Sequence, residues 1–184
     1  MKHFISKIDL RDKPEGHKSI IFGAGCFWGV ERKFWEEANI YLTSVGYSGG
    51  SIVNPTYEQV CYENTGHVEV VKVTYDPNLI SFECLLKIFW ECHDPTQGNR
   101  QGNDRGTQYR SVIYCEDEID LKHAKESLKQ YQEVITNSKY GKITTEIKIF
   151  HDYFLAEEYH QQYLAKNPNG YCGLGGTGCS FPKN

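Results

Sequence analysis

The sequence predicts an α/β sandwich in a single domain, on three observations. Segments of period two alternate with segments of helical period along most of the 184 residues. Such interleaving of strands and helices is the pattern of a sheet covered by helices. No internal repeat or low-complexity block interrupts it. Only residues 94–107 and the stretch from 167 onward lack a period, and each is rich in glycine.

Residues 1–18 are polar, carry Pro14 and Gly16, and read as a lead-in. Residues 19–22 read as a short buried strand that ends in Gly23-Ala24-Gly25. A helix is expected over 26–38, because Val30, Phe34 and Ala38 recur at four-residue spacing. Residues 41–47 alternate as a strand does, until Gly49-Gly50-Ser51 breaks the pattern. A short helix over 56–63 follows, then a β-rich run over 67–75 closed by Asp76-Pro77-Asn78. Apolar residues at 82, 85, 86, 89 and 90 predict a helix capped by Ser81. Residues 109–115 read as a strand. Leu121, Ala124, Leu128, Tyr131 and Ile135 mark an amphipathic helix over 120–136. A strand over 143–150 and a last helix over 155–164 complete the series. The whole chain, 1–184, is read as one catalytic domain whose segment 167–184 is an irregular, Gly-rich C-terminal arm.

Composition excludes several classes. With 39% hydrophobic and 24% charged residues the chain is that of an ordinary globular domain. The net charge of -4, without a dense Lys/Arg run, argues against a nucleic-acid binder. The longest apolar-leaning uncharged stretch, 19–30, is short of the roughly 20 residues of a membrane helix. The N-terminus lacks the apolar core and cleavage site of a signal peptide, so the expected location is cytoplasmic, with no membrane partner. A monomer is the default. Seven cysteines, an odd number in a chain large enough to build a core, do not suggest a disulfide scaffold. Cys61, Cys84, Cys92 and Cys115 lie in periodic apolar segments and are expected in the core.

The remaining cysteines carry the chemistry. Cys26 follows Gly-Ala-Gly at a predicted helix start, where free backbone N–H groups and the helix dipole favour a thiolate. A small buried core residue is the alternative at that position. Phe27 and Trp28 beside it are hard to bury together at a helix start and suit the wall of an apolar pocket. Cys172 and Cys179 sit in Tyr-Cys-Gly-Leu-Gly-Gly-Thr-Gly-Cys, where a flexible, nearly side-chain-free arm has little packing value. A mobile cysteine there can take up and pass on a disulfide. A zinc site lacks close Cys-x-x-Cys or Cys/His ligand spacing. Glu69, on a strand face with Val71, Val73 and Tyr75, has either a raised pKa suited to a general acid or a solvated place on an edge strand. Tyr57 and Tyr109 are possible hydroxyl donors.

Together these segments resemble the A-type peptide methionine sulfoxide reductases. The resemblance runs in order over about residues 19–182. Its blocks are Gly25-Cys26-Phe27-Trp28-Gly29-Val30-Glu31, Gly46-Tyr47-Ser48-Gly49-Gly50, Asn54-Pro55-Thr56-Tyr57 and Thr65-Gly66-His67-Val68-Glu69-Val70. His93-Asp94-Pro95-Thr96-Gln97, the run from Gln101 to Ser111, and Gly170-Tyr171-Cys172-Gly173 complete it. The resemblance implies a two-layer α+β sandwich with a mixed, largely antiparallel sheet and a ferredoxin-like core. It also implies that Cys26 attacks the sulfur of methionine-S-sulfoxide, free or in proteins, while Glu69 gives a proton to the oxygen. Tyr57 and Tyr109 hold that oxygen, Phe27 and Trp28 cage the methyl group, and Asp104 binds the substrate main chain. Cys26 is left as a sulfenic acid, which Cys172 resolves to a disulfide. Cys179 then takes over the disulfide for reduction by thioredoxin. No bound metal or organic cofactor is implied, and no R-epimer activity is expected.

The residues also admit two other readings. A cysteine hydrolase would pair Cys26 with a histidine such as His67 or His151, and leaves the dicysteine arm without a task. A non-enzymatic redox or zinc-binding module leaves the Phe-Trp wall unexplained.

Overall fold

The computed structural model describes residues 1–150 and 152–182. Six strands form one sheet: β1 (Lys18–Gly23), β2 (Ile40–Ser48), β3 (Val68–Tyr75), β6 (Val112–Cys115), β7 (Glu146–Ile149) and β8 (Phe154–Leu155). Their order is β7-β6-β1-β3-β2-β8. All neighbours are antiparallel except β6 and β7. That parallel pair is joined through α4 (Glu118–Asn137), the crossover a parallel connection needs. The inner four strands, with α1 (Phe27–Trp35) after β1 and α3 (Phe82–Cys92) after β3, follow β-α-β-β-α-β connectivity. This is the ferredoxin-like arrangement, extended by one strand on each edge.

The main core lies between one sheet face and α1, α3 and α4. Phe22, Phe34 and Phe89 stack there, and Trp90 donates its indole N–H to Ser127 Oγ at 2.9 Å. Val71, Val73 and Tyr75 point to this face, while Val68 and Val70 join a smaller cluster on the other, covered by Phe150 and Tyr153. The period-two reading of β3 is therefore realised on both faces. The lead-in is part of the fold: Leu10 is buried, and His3 is hydrogen-bonded to Thr43 on β2 at 3.2 Å.

Four expectations are corrected. The first helix stops at Trp35, and Ala38 lies exposed beyond it; Asn39 turns the chain left-handed, with φ 68°. Tyr109 is not in a strand but ends a single 3-10 turn, Thr107–Tyr109, that precedes β6. The predicted helix over 155–164 is replaced by β8, a 3-10 turn (Glu158–His160) and one turn of helix, α5 (Tyr163–Lys166). The reason is the open edge of β2. Ala156 N–H donates to Val45 O, and the Gln161 side-chain amide bonds both the N–H and the C=O of Val45, as a neighbouring strand would. Finally, the apolar periods do not bury every cysteine: Cys92 and Cys115 are in the core, but Cys61 is half-buried and Cys84 is exposed. Cys84 lies in the first turn of α3, ahead of its first buried residue, Leu85.

Residues 167–182 contain turns but no helix or strand. They are nonetheless packed on the body. Leu174 and Cys179 lie against the main core, and Phe181 is buried beside Tyr131. Tyr131 and Tyr140 hydroxyls reach Thr177 at 3.0 and 3.1 Å. The glycines let this segment approach closely, and three apolar side chains anchor it.

Among the described residues, no helix is long and apolar enough to cross a membrane. A two-residue hairpin pair, β4 (Arg100–Gln101) and β5 (Asp104–Arg105), organises the long loop between α3 and β6. It is tied to the end of α3 by the Gln101 amide, which donates to Asp94 O at 2.9 Å and accepts from Asp94 N–H at 3.2 Å, while the buried His93 ring bonds Phe89 O and Ser111 Oγ, each at 2.8 Å.

Candidate active site

Strand register brings the nucleophile and the acid together. Phe22 on β1 faces Val71 on β3, so the next residues of the chain carry it past Glu69 into the start of α1. Cys26 is the N-cap of that helix. Gly25 makes the entry possible: its φ is +93°, and a Cβ there would lie 2.7 Å from the Gln101 side chain. The hairpin β4–β5 can therefore close over the first turn of α1.

The result is a cavity of about 150 Å³ lined by Cys26, Phe27, Trp28, Tyr57, Glu69, Asp104, Tyr109 and Tyr171. It gathers seven of the nine residues singled out in the sequence; Cys172 and Cys179 lie outside its lining. The volume is below that of a site for a whole drug-sized ligand, roughly 300 Å³ or more, and suits the tip of one side chain.

Glu69 is 2% exposed and sits on a central strand, which removes the edge-strand reading. Burial pushes its carboxyl up to about 8, and the nearby Asp104 adds to the shift; the Phe27 N–H, at 3.1 Å from Oε2, opposes it. At neutral pH this carboxyl keeps its proton. Cys26 departs from the expected activated thiolate. Burial and then the Glu69 charge raise its pKa strongly, and the backbone N–H of Trp28 only partly counteracts them. Helix-start position alone does not make a thiolate once the sulfur is desolvated. Protonation of Glu69 removes the second of those two causes.

Burial also raises Tyr57 and Tyr109, so both hydroxyls remain donors. Tyr57 opens α2 (Tyr57–Tyr62), whose start is fixed by a Thr56/Gln59 capping box. Its own N–H is held by Glu157 at 2.8 Å, and the same carboxylate accepts from Tyr47 at 2.9 Å. The aromatic wall differs from expectation in one respect: Phe27 is fully buried and only Trp28 is half-exposed. Trp28 is stacked on Tyr163, with ring centroids 3.8 Å apart, and donates to His160 Nδ1 at 3.0 Å. Burial lowers His160 to about 4, so it is a neutral acceptor here. Asp104 accepts from the Tyr171 hydroxyl at 3.3 Å.

Tyr171, His160 and Glu157 were not anticipated as site residues. In the sequence Tyr171 stands out only as part of the arm. His160 and Glu157 fall in the segment misread as helix, and nothing in its pattern points to the pocket.

His67 is not at the cavity. It is buried between Gly50 N–H and Ile52 O, at 3.2 and 2.9 Å, which occupies both ring nitrogens. The other histidine of the hydrolase reading, His151, lies outside the described residues. Among the described residues, no group of three or more His, Cys, Asp or Glu side chains is placed to hold a metal ion.

A cysteine, a protonated carboxyl and two phenolic donors around a small cavity, with Phe27 and Trp28 on its wall, are the groups of a thiol enzyme. Comparison with known proteins narrows this. Residues 18–177 match the family model described as peptide methionine sulfoxide reductase. The mitochondrial peptide methionine sulfoxide reductase of Mus musculus is 57% identical over 182 residues, 98% of this chain and 78% of that one. The solved methionine sulfoxide reductase A of Corynebacterium diphtheriae superposes with a TM-score of 0.88 at 41% identity, covering 100% of this chain and 90% of that chain. Mxr1 from Saccharomyces cerevisiae, solved in complex with Trx2, gives a TM-score of 0.60 at 27% identity over 84% of this chain and 90% of that one. The chain belongs to the peptide methionine sulfoxide reductase family.

Proposed function

We propose that this enzyme reduces the S epimer of methionine sulfoxide, free or in proteins, through Cys26, and that thioredoxin regenerates it. The observation that carries the reading is the convergence of Cys26, protonated Glu69 and the Tyr57 and Tyr109 hydroxyls on one cavity sized for a side-chain tip. The sulfoxide oxygen accepts hydrogen bonds from Glu69 and the two tyrosines, which favours the charge that builds on it. The methyl group lies against Phe27 and Trp28, and Asp104 at the mouth receives the main chain.

The Cys26 thiol and the sulfoxide give a Cys26 sulfenic acid and methionine. The substrate S–O bond breaks, its sulfur is reduced, and the Cys26 sulfur is oxidised. Glu69 supplies a proton to the oxygen and recovers one from the thiol, so no net proton is consumed. Cys172 then forms a disulfide with Cys26 and releases water. Cys179 receives that disulfide next and presents it to thioredoxin. The yeast relative solved with Trx2 supports a thioredoxin reductant.

The test is reduction of a methionine-S-sulfoxide substrate by the purified chain, first with dithiothreitol and then with thioredoxin, with the R epimer as control. Cys26→Ser should abolish both reactions. Cys172→Ser should release a single equivalent of methionine and then stop with thioredoxin. Full turnover by Cys26→Ser would sink the mechanism.

A further inference from the structure

Cys26, Gly29 and Arg32 recur every three residues along α1 and so form one stripe down the helix. The C-terminal segment crosses that stripe. Cys172 Sγ lies where a side chain at position 29 would begin: a Cβ on Gly29 would be 2.9 Å from the sulfur and 3.0 Å from Leu174. No larger residue leaves this place open. On the far side, Arg32 donates from Nη2 to Cys172 Sγ at 3.3 Å. Among the described residues Arg32 has no carboxylate ion-pair partner, so this sulfur is the acceptor its half-buried guanidinium faces.

We propose that Arg32 and Gly29 form a seat that holds the Cys172 sulfur within one helical turn of Cys26, ready for the disulfide-forming step. The inference rests on the reductase reading above. In that step the Cys172 sulfur attacks the sulfenic sulfur of Cys26. The S–S bond forms, the S–O bond breaks, and the oxygen leaves as water with the sulfenic proton and the Cys172 thiol proton. The sulfenic sulfur is reduced and the Cys172 sulfur oxidised, so no outside oxidant is needed. Arg32 contributes by fixing the attacking sulfur and by facing it with positive charge as its proton departs.

Rapid mixing of the reduced full chain with excess methionine-S-sulfoxide, without reductant, separates methionine release from the loss of thiols as the disulfide closes. In Arg32→Met the second phase should slow relative to the first by roughly tenfold, the scale of a hydrogen bond to a charged group. Arg32→Lys, which keeps the charge, should recover most of that loss. Gly29→Ala keeps the guanidinium but fills the seat, and should slow the same phase. The proposal is overturned by a second phase within about twofold of the parent in both Arg32→Met and Gly29→Ala. Equal slowing of both phases, or Arg32→Lys as slow as Arg32→Met, also overturns it, because a general loss of structure has no reason to single out one step. If the parent itself releases no methionine, the reductase reading fails and takes the seat with it. Methionine release with an unchanged second phase in the variants removes the seat alone.

Discussion

Glu69 shows how a residue's chemistry is set by where its strand runs. The carboxylate is ordinary in water, but on a central strand facing the helices its charged form is desolvated and the acid persists to about 8. A general acid works only while protonated. The chemical step should therefore hold at neutral pH and fall as pH rises through about 8. Glu69→Gln should slow methionine release by roughly a hundredfold or more and flatten that pH profile. A rate near the parent's, or an unchanged profile, removes the role. The two tyrosines share one task, so their losses should not be additive. Tyr57→Phe and Tyr109→Phe should each lower the rate of methionine release modestly, and the double variant by more than the product of the single effects. Single-turnover rates of the three proteins decide this.

At the scale of elements, the segment after β7 is the most consequential. It supplies Glu157 to anchor α2, His160 to hold Trp28, and the edge strand that covers β2. Beside the β8 pairing, the Gln161 amide ties it to the sheet at Val45. Gln161→Leu keeps the volume but leaves the Val45 backbone N–H without its partner in a buried place. The expected cost is about 1–3 kcal/mol, read as a lower urea midpoint with an unchanged slope. Stability equal to the parent's would show that this amide does not hold the edge.

For the molecule as a whole, two buried acids tie stability to pH. Burial raises Glu31 to about 7, against hydrogen bonds from Gln162 and Thr43, and Glu69 to about 8, from an ordinary value of 4.5. Between 4.5 and about 8 the folded protein holds protons that the unfolded chain has released. Unfolding releases them, so the contribution of these two carboxyls to stability should decline as pH rises across that window and level off above it, while buried His3, His93 and His160, lowered to about 4, act in the opposite direction below about 6.5. Glu69→Gln removes one of these groups, and its melting temperature should exceed the parent's at pH near 9 but match it near pH 4 to 5, within about two degrees. A constant difference at all pH values would point to packing instead. The C-terminal segment is the second feature of the whole molecule: Phe181 anchors it under Tyr131, with its N–H on Glu91 Oε1 at 2.8 Å. Phe181→Ala should cost roughly 3 kcal/mol or less and speed amide exchange over residues 171–182, leaving the sheet protected.

Much of this was legible from residue order. Periods of two and 3.6 report which face of a strand or helix meets apolar surroundings, so β1, β2, β3, α3 and α4 could be read to within a few residues. The blocks around Cys26, Tyr57, Glu69, Asp104, Tyr109 and Cys172 could be read as parts of one reductase site. What residue order could not carry is anything that depends on a neighbour distant in the chain. Residues 155–164 carry a helical pattern, yet they meet an unpaired strand edge, and backbone hydrogen bonds outweigh a weak local preference. Cys26 stands at a helix start, yet its desolvation and the facing Glu69 come from other segments and reverse the expected shift. The Gly-rich tail reads as a loose arm, yet Gly29 and Arg32 of α1 leave a place for Cys172, and α3 and α4 one for Phe181. The sequence by itself determined the types of β1, β2, β3, α3 and α4, the family and the reactive groups, because these are written in local period and residue chemistry. Only the tertiary structure decided which groups are dry, which are charged and which sulfur lies beside which helix turn, because desolvation and proximity belong to packing between distant segments.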